Sequence, residues 1–271
     1  MGMDEAVSED DKATLETITG VRRWTDSLLS FRTTRPQDYP FIPGEYSRLG
    51  LEVNGQTIWR AFSLVSAPHE DFLEYYGVIV PRGLFTTRLN EAAPGARIWI
   101  ERKRYGFMTP GRFTDGEQLW MLATGTGLGP FVSILRDPGV WGRFRDLVLV
   151  HCVRHPDEFA YAEELRAMQA SPPARAAGSI PPARLHLVQT STRDTPRPGG
   201  PAGRLHGRIT ALLENGELEK AVGIPLTVEA SRIMLCGNPQ MIEETRALLH
   251  QRGMRPCRRT LPGQFVTENY W

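Results

Sequence analysis

The stretch Trp120-Met121-Leu122-Ala123-Thr124-Gly125-Thr126-Gly127-Leu128-Gly129-Pro130-Phe131 reads as a short apolar strand that runs into a glycine-rich turn and then a helix. Met121, Leu122 and Ala123 form the continuous apolar run of a strand covered on both faces of a parallel sheet. Gly125, Gly127 and Gly129 remove side chains where backbone must come close to something else. Pro130 suits the first turn of a helix, where its missing N–H would have had no partner. Phe131, Ile134 and Leu135 follow at helical spacing. A helix N-terminus at the carboxyl end of a strand presents N–H groups that attract a pyrophosphate. Such turns also occur for purely structural reasons, so the reading depends on what the rest of the chain supplies.

With 271 residues the chain exceeds one typical small core and suits two domains. Hydrophobic residues at 41% and charged residues at 23% place it among ordinary globular proteins. Thirty-two basic against 31 acidic side chains leave a net charge of +1, which argues against nucleic acid as the main partner. No apolar run approaches the length of a membrane span. The first 14 residues, acidic and polar, are expected to form a disordered tail rather than a signal peptide. Cys152, Cys236 and Cys257 are scattered and odd in number, so neither a disulfide framework nor a Cys-x-x-Cys metal site is expected. Three thiols also fall short of the four that hold an iron–sulfur cluster. The expected compartment is a reducing cytoplasm.

Short strands and turns fill the chain up to about Arg112. Residues 17–21 and 28–31 suggest a hairpin, and residues 59–65, 73–80 and 97–102 are further strands. One helix is expected over residues 86–92, after Gly83. This pattern predicts a small antiparallel barrel or sandwich. From Gln118 onward strands alternate with helices. Residues 147–150, 185–188 and 233–236 are buried strands, and residues 157–170 a helix with Leu165 and Met168 inward. Helical segments over 209–221 break at Gly216. The last strand ends in Gly237-Asn238-Pro239, where Asn238 caps a helix that buries Met241, Ile242, Thr245, Leu248 and Leu249 and stops at Gly253. The alternation predicts a parallel α/β sheet, with insertions over 171–182 and 194–203. The six histidines show no metal-ligand spacing, and His151 and His155 read as loop residues. A cleft between the two halves is the expected site.

Arg60-Ala61-Phe62-Ser63 is an Arg-x-aromatic-Ser strand, in which alternation puts Arg60 and Phe62 on one face and Ala61 and Ser63 on the other. Gly83-Leu84-Phe85-Thr86 opens a helix, Gly125-Thr126-Gly127 and Cys236-Gly237-Asn238-Pro239 follow in the second half, and the chain ends in Tyr270-Trp271. In this order and spacing the set resembles the ferredoxin–NADP⁺ reductase family, and most closely its bacterial flavodoxin/ferredoxin reductases ending in tryptophan. The resemblance covers roughly residues 15–271. It implies an N-terminal Greek-key FAD-binding β-barrel over 15–115. A Rossmann-like α/β NADP-binding domain follows over 116–271, its tail returning to the FAD.

Residue by residue, the resemblance makes Arg60 a clamp on the FAD pyrophosphate, where a guanidinium fork matches phosphate. Ala61 and Phe62 join it at the FAD; Phe62 stands where the family has tyrosine, so the hydroxyl bond is lost. Ser63 lies beside flavin N5, Thr86 makes a second pyrophosphate contact, Thr126 also touches FAD, and Trp271 stacks on its adenine. Tyr46, Tyr75 and Tyr76 read as barrel core or surface instead. Thr124, Gly125, Thr126 and Gly127 meet NADP, with Gly237 and Asn238. Arg154, Arg193 and Arg208 match its 2′-phosphate end, where Arg197 or Arg204 could substitute. A 2′-phosphate needs cations whereas a ribose hydroxyl prefers an acid, which favours NADP over NAD. Cys236 lies beneath the nicotinamide or is simply a small buried thiol. Glu268 relays protons or is a solvated surface group.

The implied enzyme exchanges a hydride between NADP(H) and flavin N5 and passes single electrons between flavin and ferredoxin or flavodoxin. No protein nucleophile or metal is expected. Arg102, Lys103, Arg104, Arg255, Arg258 and Arg259 are candidates for steering an acidic acceptor to a monomeric reductase. Two other readings stay open: a flavin reductase or oxygenase-reductase component of the same fold, and a nucleotide-binding sensor without turnover.

Overall fold

The computed structural model describes residues 12–173, 183–194 and 204–269. Its first half is an antiparallel sheet of β1 (Ala13–Arg23), β2 (Leu28–Thr34), β3 (Tyr46–Val53), β4 (Gln56–Ser63), β5 (Phe72–Val78) and β6 (Arg97–Tyr105), in the order β4-β3-β6-β1-β2-β5. Its ends meet. Leu64, just past β4, bridges Tyr75 of β5, and the Val65 N–H donates to the Glu74 carbonyl at 2.8 Å. Closure removes the edges and makes a barrel, and β6 returns to lie between β3 and β1 as a Greek key requires. Alternate residues such as Leu29 and Phe31, Leu49 and Leu51, and Ile98 and Ile100 fill its interior. Ala13 and Thr14, which the sequence reading gives to the tail, instead pair with Glu101 and Ile100.

One helix, α1 (Leu84–Asn90), buries Phe85 and Leu89 against the barrel. It starts two residues before the expected position because extended backbone at Gly83 caps it. Thr86 therefore sits in the first turn. Its hydroxyl accepts the Val80 N–H and donates to the Val80 carbonyl, both at 3.1 Å, and closes the preceding turn.

The second half alternates as expected. In order come β7 (Gln118–Thr124), α2 (Gly129–Arg136), β8 (Asp146–Val153), α3 (Ala162–Ala170), β9 (Arg184–Ser191), β10 (Arg204–His206), α4 (Ile209–Glu214), α5 (Glu217–Val222), β11 (Ser231–Gly237), α6 (Pro239–Gln251) and β12 (Phe265–Asn269). The strands run parallel in the order β10-β9-β8-β7-β11-β12. β7 lies at the centre and serves two layers. Met121 packs with Phe131 and Ile134 of α2, while Trp120 and Leu122 pack with Leu212 of α4 and Ile242 of α6. Asn238 caps α6 by accepting the Gln240 and Met241 N–H groups at 2.9 and 3.2 Å.

Three expectations need correction. His151 is not a loop residue; it lies fully buried inside β8. The helix expected over 157–170 is a short 3-10 turn at Pro156–Glu158 followed by α3, because Tyr161 between them adopts φ 56°. β10 and β12 are additional strands, the first only three residues long and the second apolar only at Phe265 and Val266. Most of the two expected insertions, with Arg197, Tyr270 and Trp271, lies outside the described residues.

Arg136, at the end of α2, ties the two halves together. Its guanidinium grips Glu164 of α3 (Nε to Oε1 2.6 Å, Nη2 to Oε2 3.0 Å) and donates to Glu74 Oε2 of β5 at 3.0 Å. The Tyr161 hydroxyl donates to the other Glu74 oxygen at 2.9 Å. Arg136 and Glu74 side chains are only 9% and 5% exposed. Removing one member of a buried pair strands the other charge. Glu74 would keep the half-exposed Arg32 (Nε to Oε2 3.2 Å), so Arg136→Ala should cost about 3 kcal/mol of unfolding free energy at most, measured by urea denaturation. Arg136→Ala with Glu74→Gln should cost less than the sum of the two single changes.

Candidate functional site

The strand order reverses at β7, with β8 and β9 on one side of it and β11 on the other. Ligands of open α/β sheets gather outside the carboxyl ends at such a point. A cavity of about 780 Å³ lies there, and Ser27, Leu28 and Val78 of the barrel close its far side. Its floor is backbone. Gly125 has φ +53°, a left-handed conformation that glycine takes without the steric cost other residues bear. A Cβ at Gly127 would overlap the Cys236 carbonyl, and one at Gly237 (φ +129°) would overlap the Thr124 hydroxyl. That hydroxyl accepts the Asn238 N–H at 2.7 Å and joins the ends of β7 and β11.

Thr124, Gly125, Thr126, Gly237 and Asn238 all line this cavity, as do Arg154, Arg193 and Arg208 from the ends of β8, β9 and the start of α4. Glu158 and Glu244 line the cavity as well, so its three guanidiniums leave it with an excess of positive charge that suits an anion. Arg204 is drawn elsewhere: its guanidinium lies over the Phe159 ring, 5.0 Å from the centroid. Gly127 and the fully buried Cys236 line neither cavity described here. Their contribution is the backbone contact beneath the floor.

A second cavity of about 670 Å³ opens between β4, β5, α1 and β12. Arg60, Ala61, Phe62, Ser63, Thr86, Thr126 and Glu268 all line it. Arg60 is exposed and donates to its own neighbour, the Trp59 carbonyl, at 2.7 Å. Strand alternation does not carry through to burial: Arg60 and Ala61 are exposed, Phe62 and Ser63 buried. The chain crosses from β4 to its bridge with Tyr75 at this point, and enclosure overtakes the pleat. The Phe62 ring rests on bare backbone, since a Cβ at Gly77 would lie 2.6 Å from Cε1. It joins Phe31, Tyr75 and Phe85 in an aromatic cluster.

Three residues that line this cavity carry unsatisfied polar atoms. Ser63 Oγ, the Tyr76 hydroxyl and Glu268 Oε2 are buried with no hydrogen-bond partner among the described residues. Each such atom costs roughly 1–3 kcal/mol if nothing fills its valence, so three in one cavity mark a site for a polar ligand. Burial raises the Glu268 carboxyl to about 7, so its protonated and ionised forms are balanced near neutral pH. Burial also pushes the Tyr76 phenol up, and it stays a neutral donor. Val78 and Thr126 line both cavities, so the two open onto one junction. The donor set fits a flavin dinucleotide in the second cavity, and the cationic set fits a phosphorylated dinucleotide in the first.

Tyr46, Tyr76, Gly77 and Asn269 line the second cavity and were not anticipated. Tyrosine in a barrel strand carries no signal separating a core ring from a cavity wall. Gly77, in the middle of an aromatic strand, is the clue that could have been read, because glycine there marks a close approach.

The chain matches the family model described as "Oxidoreductase NAD-binding domain" over residues 121–247. It is 38% identical over 256 residues to ferredoxin–NADP reductase A of Sorangium cellulosum (strain So ce56), covering 94% of this chain and 89% of that one. It is likewise 38% identical over 255 residues to the flavodoxin/ferredoxin–NADP reductase of Escherichia coli (strain K12), covering 94% and 97%. A crystal structure of a ferredoxin NADP⁺ reductase from Neisseria gonorrhoeae with bound FAD and NADP superposes with a TM-score of 0.87 at 35% identity, over 96% of this chain and 99% of that one. Over nearly its whole length, then, the chain belongs to the ferredoxin–NADP reductase family.

Proposed function

We propose that this protein is an FAD-dependent oxidoreductase that exchanges a hydride with NADP(H) and single electrons with ferredoxin or flavodoxin. The observation that carries this reading is the pair of cavities meeting at Thr126 and Val78, one ringed by arginines and one by unsatisfied polar atoms. Bound FAD would supply the exchange between two-electron and one-electron transfer. The residues do the holding. Arg60, Ala61, Phe62, Ser63, Thr126 and Trp271 keep the FAD, Arg60 by swinging off its own strand to a phosphate. Thr86, whose hydroxyl is committed to Val80, adds the N–H of its first-turn position, which has no intrahelical acceptor. Thr124, Gly125, Gly237 and Asn238 receive the NADP(H) backbone-first over the Gly127–Cys236 contact, and Arg154, Arg193 and Arg208 take its 2′-phosphate. The FAD-binding unit runs to residue 115 and takes in Ala13 and Thr14 of β1, and the NADP-binding unit is 116–271.

On this reading the protein works as a cytoplasmic monomer that meets its acceptor transiently. Arg102 and Lys103 are exposed on β6, whose Tyr105 pairs with the cavity residue Tyr46. Arg255, Arg258 and Arg259 are exposed in the segment leading into β12. Among the described residues no helix is long and apolar enough to cross a membrane.

Anaerobic NADPH should bleach the yellow holoprotein near one equivalent, and NADH only at large excess. Protein that stays colourless and cannot be reconstituted with FAD would end this reading. Reduction of a ferredoxin or flavodoxin should fall steeply as salt screens the basic surface, while reduction of a small neutral dye should not. Equal salt dependence for both would remove the docking surface.

Glu268 gives a third expectation. Its folded-state pKa of about 7 stands above the ordinary 4.5 of the unfolded chain. Between those values the folded form holds a proton that the unfolded form has lost, so apoprotein stability falls as pH rises through that window. Glu268→Gln should flatten this fall, by on the order of 2 kcal/mol between pH 5 and 8 in urea denaturation of the apoprotein. Parallel pH curves for the two proteins would contradict the assignment.

A further inference from the structure

His151 stands beneath the glycine-rich turn without touching either cavity. It is fully buried in β8, opposite Ala123 of β7. Its Nε2 lies 3.0 Å from the Gly125 carbonyl oxygen. A carbonyl only accepts, so Nε2 carries the proton. Nδ1 is buried with no partner among the described residues, and burial holds the imidazole pKa down at about 4. The ring is thus a neutral donor of one fixed tautomer. Its edge is packed against Phe159 at 5.6 Å and 72°, and Phe159 in turn lies under Arg204, so it has little room to rotate.

Across a trans peptide the carbonyl and the next N–H point in opposite directions. With the Gly125 carbonyl held downward on His151, the Thr126 N–H is turned the other way, toward the side where Thr126 lines both cavities. Gly125, at φ +53°, is the residue least able to hold that peptide by itself. We propose that His151 is a positioning residue that fixes the Gly125–Thr126 peptide, so that the turn presents its N–H to the inner, pyrophosphate-to-nicotinamide part of a dinucleotide. This rests on the reading that the larger cavity takes NADP(H).

The test uses FAD-loaded holoprotein and three variants. Glutamine can place an amide N–H near the position of Nε2, asparagine is one carbon too short, and phenylalanine keeps the planar shape without a donor. Binding of NADP⁺ and of 2′,5′-ADP is measured by calorimetry, with flavin content and thermal unfolding as controls of folding. His151→Phe and His151→Asn should weaken NADP⁺ about tenfold, the scale of one lost hydrogen bond. They should leave 2′,5′-ADP, which lacks the inner half, within about twofold, and His151→Gln should recover most of the loss. In steady state the loss should fall mainly on KM for NADPH. Long-range ¹H–¹⁵N correlation spectra of the wild type should show a protonated Nε2 and a bare Nδ1 that does not titrate near neutral pH. A ring titrating near 6.5, or Phe and Asn variants that fold and bind NADP⁺ as the wild type does, would overturn the proposal. If all variants failed to fold, the spectra alone would decide it. Wild-type protein that binds neither ligand would instead overturn the reading of the cavity.

Discussion

Two loops touch through bare backbone, and the rest of the site is placed by that contact. The turn after β7 comes so close to the end of β11 that Gly127 has no space for a Cβ over the Cys236 carbonyl, nor Gly237 over Thr124. Backbone cannot step aside as a long side chain can, so the approach admits glycine alone. The Thr124 hydroxyl then ties the two strand ends through the Asn238 N–H, and Asn238 caps α6 with its side chain. One contact thereby registers two turns and a helix start at the point where the strand order reverses. The arginines on β8, β9 and α4 are arranged around a floor that is already rigid.

The barrel must meet this floor at a defined angle, and the seam that sets it is polar at its centre. Arg136 joins Glu74 of the barrel to Glu164 of the sheet domain, with aromatic packing beside it. Tyr161 lies 4.8 Å from Trp24 and 5.6 Å from Tyr76, centroid to centroid. Tyr161 adopts a left-handed backbone that costs on the order of 1 kcal/mol, and its hydroxyl bond to buried Glu74 offsets that strain. A buried ion pair adds little net stability over apolar packing of the same volume. Its effect here is on geometry: the forked Glu164 grip fixes the Arg136 guanidinium on its own domain, and the single bond from that fixed group to Glu74 sets where the barrel sits. Tyr76 is a wall of the second cavity, so the seam and the site share a residue.

Much of this was legible in the chain because each major element carries its own local signal. The apolar run 121–123, the Asn238-Pro239 cap and the Gly216 break each stand where the structure has a strand, a helix start and a helix gap. What was hidden depends on tertiary context. Pro156 and the following acidic residues promise a helix start, and nothing local announces that Tyr161 will leave it for the seam. β10 and β12 are edge strands too short to show a period. At the site, charged residues at strand ends were readable because ligand chemistry demands them, and Arg154, Arg193 and Arg208 do line one cavity. His151 was misread since a lone polar residue after an apolar run looks like the strand's end. In the structure it continues the strand and spends its one N–H on the turn above.

The absence of a hydroxyl at Phe62 bears on how the second cavity can hold its ligand. The ring is buried among Phe31, Tyr75 and Phe85 and lies on Gly77, so this side of the cavity offers only an apolar surface. Besides Arg60 and Thr126, the cavity's polar groups include Ser63, Tyr76 and Glu268, whose buried oxygens have no hydrogen-bond partner among the described residues. Ser63 pairs across the sheet with Tyr46, whose ring stacks on Tyr105 at 5.5 Å, so its backbone has little freedom. Ser63 and Tyr76 can each donate, and a protonated Glu268 adds a third donor that disappears once the carboxyl ionises. An apolar ring at Phe62 thus leaves the hydrogen-bonding capacity of the other lining residues in place.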